Sequence, residues 1–315
     1  MAPGRPPDLD RAAAELAAAR RSCFPPLPAL QARRRTLPFG RRTYIMGILN
    51  LTPDSFSDGG RFTAPRAALR HALRMADEGA DILDIGGEST RPGSEPIGLR
   101  EELRRVLPVL EAVIPALRRC RGGGPLLSID TTRAETARRA AALGVDILND
   151  ISGMTFDPAM PAVAAEYELP VVLQHLRGRP RTMQRAPRYR RLLTEVAAFL
   201  RAAGDRAVRA GVREDRIVID PGIGFGKTRQ HNLRLLRDLP VLRGLGRPIL
   251  IGASRKSFLS GDAALPPARR LAGSLAAEAL AIAGGADIIR AHDVQEAVRV
   301  ARLCDSVLRG PAGIR

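Results

Sequence analysis

Lysine and asparagine are nearly absent from this chain, and each surviving copy sits in a polar motif at the end of an apolar run. Of fifty basic side chains only two are lysine, Lys227 in DPGIGFGKT and Lys256 in GASRKSFLS. The three asparagines are Asn50 in MGILNLTPDSFSDGG, Asn149 in VDILNDISG and Asn232 just beyond Lys227. A composition this rich in Arg, Ala and Gly uses arginine wherever either cation serves. The five survivors therefore mark positions that need a compact ammonium or a neutral amide. Asp130, Asn149, Asp220 and Lys256 make one such set. A carboxylate accepts two N–H groups side by side, an amide gives and takes one bond, and lysine donates to a ring nitrogen or carbonyl oxygen. Together they suit a flat, nitrogen-rich heterocycle. The competing reading is an internal ion pair between Lys256 and one aspartate, which leaves the second carboxylate unexplained. Arg290 and His292 lie two residues apart on one strand and so share a face. With Asn50 and Thr90 they make an anion site, where the Asn50 oxygen suits Mg²⁺ that keeps most of its shell on water and phosphate.

These groups need a scaffold that brings distant segments to one mouth. From Thr43 onward short apolar runs alternate with amphipathic stretches of helical length, the pattern of parallel βα units. The runs number eight, at 43–49, 81–86, 125–130, 145–150, 170–175, 216–220, 248–253 and 287–292. The longest helical stretch covers about 189–210. EGADILDIG, LGVDILNDI and GGADIIRAH repeat one phrase, in which Gly closes a helix and Asp opens a strand. Eight units in one chain predict a (β/α)₈ TIM barrel, and no G-x-G-x-x-G turn follows the first strand to favour a doubly wound sheet. The chemical residues fall at the C-terminal ends of the runs, the face on which barrel active sites are built. LTPDSFSDGGRF and ESTRPGSEPIG read as long, lid-like loops at that face. DPGIGFGKT only imitates a phosphate loop, because Pro221 stands where the first glycine is required.

The bulk numbers bound the rest. At 315 residues and 45% hydrophobic content the chain can bury a large core, and its +17 formal charge and pI near 11.3 favour anionic ligands. The arginines spread over most helical stretches, and three tyrosines, eight phenylalanines and no tryptophan offer little for base stacking, so no nucleic-acid partner is expected. No stretch has the length of a membrane span. Cys23, Cys120 and Cys304 share no ligand spacing and fit a reducing cytoplasm. Residues 1–40 form a basic Pro/Ala/Arg-rich extension ahead of a single barrel domain at 41–315.

IMGILNLTPDSFSDGG, DIGGESTRPG, SIDTTR, ILNDISG, DPGIGFGKT, SRKS and IRAHDV together resemble the dihydropteroate synthase family, in its order and spacing, from about Thr43 to Leu308. The resemblance implies a pterin-binding TIM barrel, usually a homodimer. Its reaction joins 6-hydroxymethyl-7,8-dihydropterin diphosphate to p-aminobenzoate, giving 7,8-dihydropteroate and pyrophosphate. It also implies that Asp130, Asn149, Asp220 and Lys256 hold the pterin with Phe225 nearby, and that Asn50 ligates Mg²⁺. Arg290 and His292 would then hold the diphosphate. Thr90 and Arg91 belong to the second loop, Asp58 to the first, and Ser257 with Arg255 receives the p-aminobenzoate carboxylate. Gln174, Leu176 and Arg133 depart from the family pattern. A sister barrel that transfers a methyl group from a folate to a corrinoid protein, or a catalytically silent paralogue, are the alternatives.

Overall fold

The computed structural model describes residues 26–51, 63–261, 263 and 265–309, together with Glu15 and Ala19. A short hairpin, β1 (Leu30–Gln31) and β2 (Thr36–Leu37), precedes eight parallel strands. These are β3 (Tyr44–Asn50), β4 (Ile82–Gly86), β5 (Leu126–Asp130), β6 (Ile147–Asp150), β7 (Val171–Gln174), β8 (Ile217–Asp220), β9 (Leu250–Ile251) and β10 (Ile288–Ala291). Their order around the sheet is β8-β7-β6-β5-β4-β3-β10-β9. A parallel bridge between Ile219 and Ile249 joins β8 to the approach of β9 and closes the barrel. The helices are α1 (Thr63–Asp77), α2 (Leu99–Arg118), α3 (Ala134–Leu143), α4 (Met160–Glu166), α5 (Leu192–Arg209), α6 (Arg229–Arg237), α7 (Leu271–Ala283) and α8 (Val294–Arg309). All eight expected runs form strands; the stretch expected to be the longest helix forms α5, which at 18 residues is shorter than the 20 residues of α2.

Strand alternation builds the barrel interior in layers. Tyr44 and Met46, Ile82, Leu126, Ile147, Val172, Val218, Leu250 and Ile288 form one apolar cluster to which every barrel strand contributes. Two residues further along four of these strands stand Asp84, Asn149, Asp220 and Arg290. The period of two thus fixes the polar layer directly above the apolar floor. Beneath the floor, Leu30, Leu37 and Phe39 complete the same cluster, so the hairpin plugs the N-terminal mouth. Composition groups residues 30–39 with the extension. Their burial ties them to the barrel instead.

The repeated phrase has a physical meaning. Gly79, Gly144 and Gly285 end their helices at positive φ, a conformation glycine adopts without a Cβ clash. The aspartates that follow each accept a backbone N–H from a neighbouring strand segment: Asp81 from Ile45, Asp146 from Leu127 and Asp287 from Ile249, at 2.8–3.0 Å. An arginine neutralises each one, Arg42, Arg34 and Arg243 respectively. Arg34 also donates to the Gly123 and Pro125 carbonyls, clamping the plug to the barrel floor.

Candidate active site

The C-terminal mouth holds a cavity of about 810 Å³. Asn50, Thr90, Arg91, Phe225, Arg255, Lys256, Ser257, Arg290 and His292 all line it. Asp130 opens into an adjoining cavity of about 480 Å³, and Thr90 borders both. Asn149 and Asp220 are buried below, at 3% and 4% exposure. Asp58 lies outside the described residues. Of the sequence-predicted residues that are described, the fold therefore brings every one to a single end of the barrel.

Arg290 organises the floor of the site. Its Nε donates to Asp84 Oδ2 at 2.7 Å, and a terminal nitrogen donates to Asp130 Oδ2 at 2.9 Å. Asn149 donates to the same Asp84 oxygen at 2.9 Å, leaving its own carbonyl free to accept. Burial works against the Arg290 charge, yet Asp84 and Asp130 outweigh it and raise the guanidinium above its ordinary value. Burial and then the charge of Asp84 push the Asp130 carboxyl up to about 7, while Arg290 pulls the other way. Asp84 is fully buried and was not singled out from sequence. The signal was present, since a charge two residues after Ile82 in an apolar strand must face the same interior and needs a partner there.

On the opposite side, burial lowers the Lys256 amine to about 7, although Asp220 opposes that shift. Its Nζ sits 4.3 Å from the Phe225 ring centroid and donates to the Ile223 carbonyl. Asp220 is raised by burial, tempered first by Lys256, and accepts the Gly222 N–H at 2.6 Å. Asp220 and Lys256 attract one another without a direct salt bridge. The second carboxylate, Asp130, is bound by Arg290 at 2.9 Å, so the two carboxylates answer to different cations. Leu176 clusters with Ile151, Met183 and Phe225 into an apolar wall, which accommodates the departure at 176. Arg133 pairs with Glu88 and Glu102. Among the described residues, Asp84 Oδ1, Ser128 Oγ and Gln174 Nε2 are buried without a protein partner. Three orphan polar atoms on β4, β5 and β7 are what a polar ligand or water would satisfy.

At the rim, burial first and the charge of Arg290 second lower His292 to about 3, so its imidazole is neutral. Ser254 Oγ accepts the His292 backbone N–H and lies 3.1 Å from Nδ1. A hydroxyl proton directed at Nδ1 leaves Nε2–H as a donor to an anion. Arg255 holds a left-handed φ of 58° and pairs with Asp293. Ser257 is exposed and opens a four-residue 3₁₀ turn, Ser257–Ser260. The second loop crosses the mouth, with the Gly93 N–H donating to the Pro180 carbonyl at 3.2 Å and Arg181 pairing with Glu95 at 3.3 Å.

The family model for pterin binding enzymes matches residues 46–292. A dihydropteroate synthase of Synechocystis sp. is 48% identical over 90% of this chain and 96% of its own. The solved dihydropteroate synthase of Xanthomonas albilineans with 4-aminobenzoic acid is 42% identical, with a TM-score of 0.81 over 89% of this chain and 98% of that one. The same organism's enzyme in complex with 7,8-dihydropteroate is 40% identical, with a TM-score of 0.78 over the same shares. The chain belongs to the dihydropteroate synthase family. The expected barrel and the family resemblance are both borne out.

Proposed function

We propose that the chain condenses 6-hydroxymethyl-7,8-dihydropterin diphosphate with p-aminobenzoate, and that the reaction depends on Mg²⁺. The observation that carries this reading is the buried polar layer of Asp84, Asn149, Asp220 and Arg290, flanked by Lys256 and Phe225 and opening upward onto Asn50 and His292. Carboxylate and amide acceptors take the amino and ring N–H groups of a pterin, and Lys256 donates to its carbonyl or ring nitrogen. Arg290 and the Nε2–H of His292 hold the diphosphate. The C–O bond between the pterin methylene and the diphosphate breaks, and its electron pair leaves with pyrophosphate. The aniline nitrogen supplies the pair for the new C–N bond and then loses a proton. No protein nucleophile is needed, so positioning and electrostatics supply the catalysis.

The metal fits the residues present. Asn50 lines the cavity and its amide makes no hydrogen bond among the described residues. No cluster of three or more His, Cys, Asp or Glu that could cage a metal occurs among them either. One amide oxygen beside a diphosphate site suits Mg²⁺, which completes its octahedron with water and phosphate. Bound there, the ion would neutralise charge on the departing pyrophosphate. Ser257 and Arg255 receive the p-aminobenzoate carboxylate at the rim. A homodimer is supported by exposed Leu280 on α7 and by exposed Leu303 and Val307 on the adjoining α8, an apolar face suited to a second copy. No described helix is long and apolar enough to cross a membrane, and free Cys120 and Cys304 suit cytoplasmic work.

Because the rim lies outside the pterin layer, p-aminobenzoate should bind well only once pterin and Mg²⁺–pyrophosphate are in place. Calorimetric titration of p-aminobenzoate with and without those ligands tests this. Binding that strengthens at least about tenfold in their presence is expected; equal affinity in both conditions defeats the assignment of the rim.

A further inference from the structure

The two lysines that arginine did not replace have different fates. Both border the cavity, but Lys227 is only 2% exposed and its ammonium is held by the protein. Its Nζ lies 2.9 Å from His175 Nδ1 and donates to the Phe225 carbonyl at 2.9 Å. Burial drives the amine well below its ordinary range, and burial followed by Lys227 itself pushes His175 down to about 2. Arginine would stay charged and needs room for a planar fork, so neither requirement is met at this position. The bonds tie the turn after β8 to the end of β7.

Asn232, another of the rare survivors, anchors the same turn from α6. Its Oδ1 accepts the Gly224 N–H at 2.7 Å, and its Nδ2 donates to the Thr228 carbonyl. The turn is closely fitted on both sides. A Cβ on Gly222 would stand 1.9 Å from the His175 carbonyl oxygen, and one on Gly224 would stand 2.7 Å from Lys256 Cδ. Two groups of the turn, the Ile223 carbonyl and the Phe225 ring, hold the Lys256 ammonium. The anchors below and the ammonium above are thus the two sides of one segment.

We propose that Lys227 is a positioning residue for Lys256, acting with His175 and Asn232 through the turn that carries Ile223 and Phe225. This rests on the assignment of Lys256 to the pterin. The test is a double-mutant cycle on pteroic acid binding, measured by calorimetry on the full chain with Lys227→Met, Lys256→Met and the double variant. Lys227→Met is expected to weaken binding about tenfold, because it leaves the Phe225 carbonyl and His175 without their partner. In the Lys256→Met background the same change is expected to have little further effect. Equal losses in both backgrounds would show a general structural role and overturn the proposal, as would unchanged binding by Lys227→Met. Asn232→Ala loosens the turn from its other anchor and is expected to follow the same cycle, so the inference stays testable if Lys227→Met does not fold. Failure of the unaltered protein to bind pteroic acid would overturn the pterin reading as well, whereas binding that ignores Lys227 overturns this inference alone.

Discussion

At the scale of single residues, the scarcity of lysine turns into chemistry at Lys256. Its amine lies above the Phe225 ring with an Asp220 carboxylate close enough to attract it, and a guanidinium fork is too wide for that geometry. Lys256→Arg should fold normally by circular dichroism and lose about a hundredfold or more in kcat/KM. Wild-type turnover in that variant would mean that the rarity of lysine carried no information here. The two pocket pairs also set a pH dependence. Asp130, raised to about 7 by burial and Asp84, must be ionised to accept pterin N–H groups, so affinity falls as pH drops below that value. Lys256, lowered to about 7 by burial, loses its cationic donor as pH rises above it. Pterin affinity should therefore be bell-shaped and narrow around neutrality, and Asp130→Asn should remove the acid limb. An acid limb that survives in Asp130→Asn would place the titrating group elsewhere.

At the scale of elements, the strands do more than carry residues to the mouth. Because alternate side chains share a face, each apolar floor residue predicts an inward neighbour two positions on, and Ile82 to Asp84 and Ile288 to Arg290 are such pairs. Asp84 binds Arg290 and Asn149 from full burial. Asp84→Ala leaves a buried guanidinium with only Asp130 and should cost about 3 kcal/mol, read as a lower urea midpoint at unchanged slope. A midpoint equal to wild type would show that Asp84 does not hold the network. The strands, the closing order and the strand-end residues were legible in the sequence because periodicity and polar placement are local signals. The inward placement of Asp84 follows from the same period, but its partner Arg290, 206 residues away, does not, nor does the contact between Lys227 and His175 across 52 residues. The plug formed by residues 30–39 was hidden for another reason: its composition is that of an extension, and only packing under the barrel floor distinguishes it.

For the whole molecule, the plug, the closed barrel and the arginine-rich surface make one body whose chemistry faces one way. Its proposed self-association lies on α7 and α8. Light scattering should give about twice 33.9 kDa, and Leu303→Arg with Val307→Arg should yield a monomer that keeps its fold. A monomeric wild-type protein would remove that proposal without touching the active site. The account as a whole stands on the reaction. Steady-state turnover of 6-hydroxymethyl-7,8-dihydropterin diphosphate with p-aminobenzoate should release pyrophosphate and 7,8-dihydropteroate in equal amounts with Mg²⁺ present, cease with a chelator, and fall by about two orders of magnitude or more in Asp220→Asn. Absence of turnover with both substrates and Mg²⁺ present, in a folded protein, would contradict it.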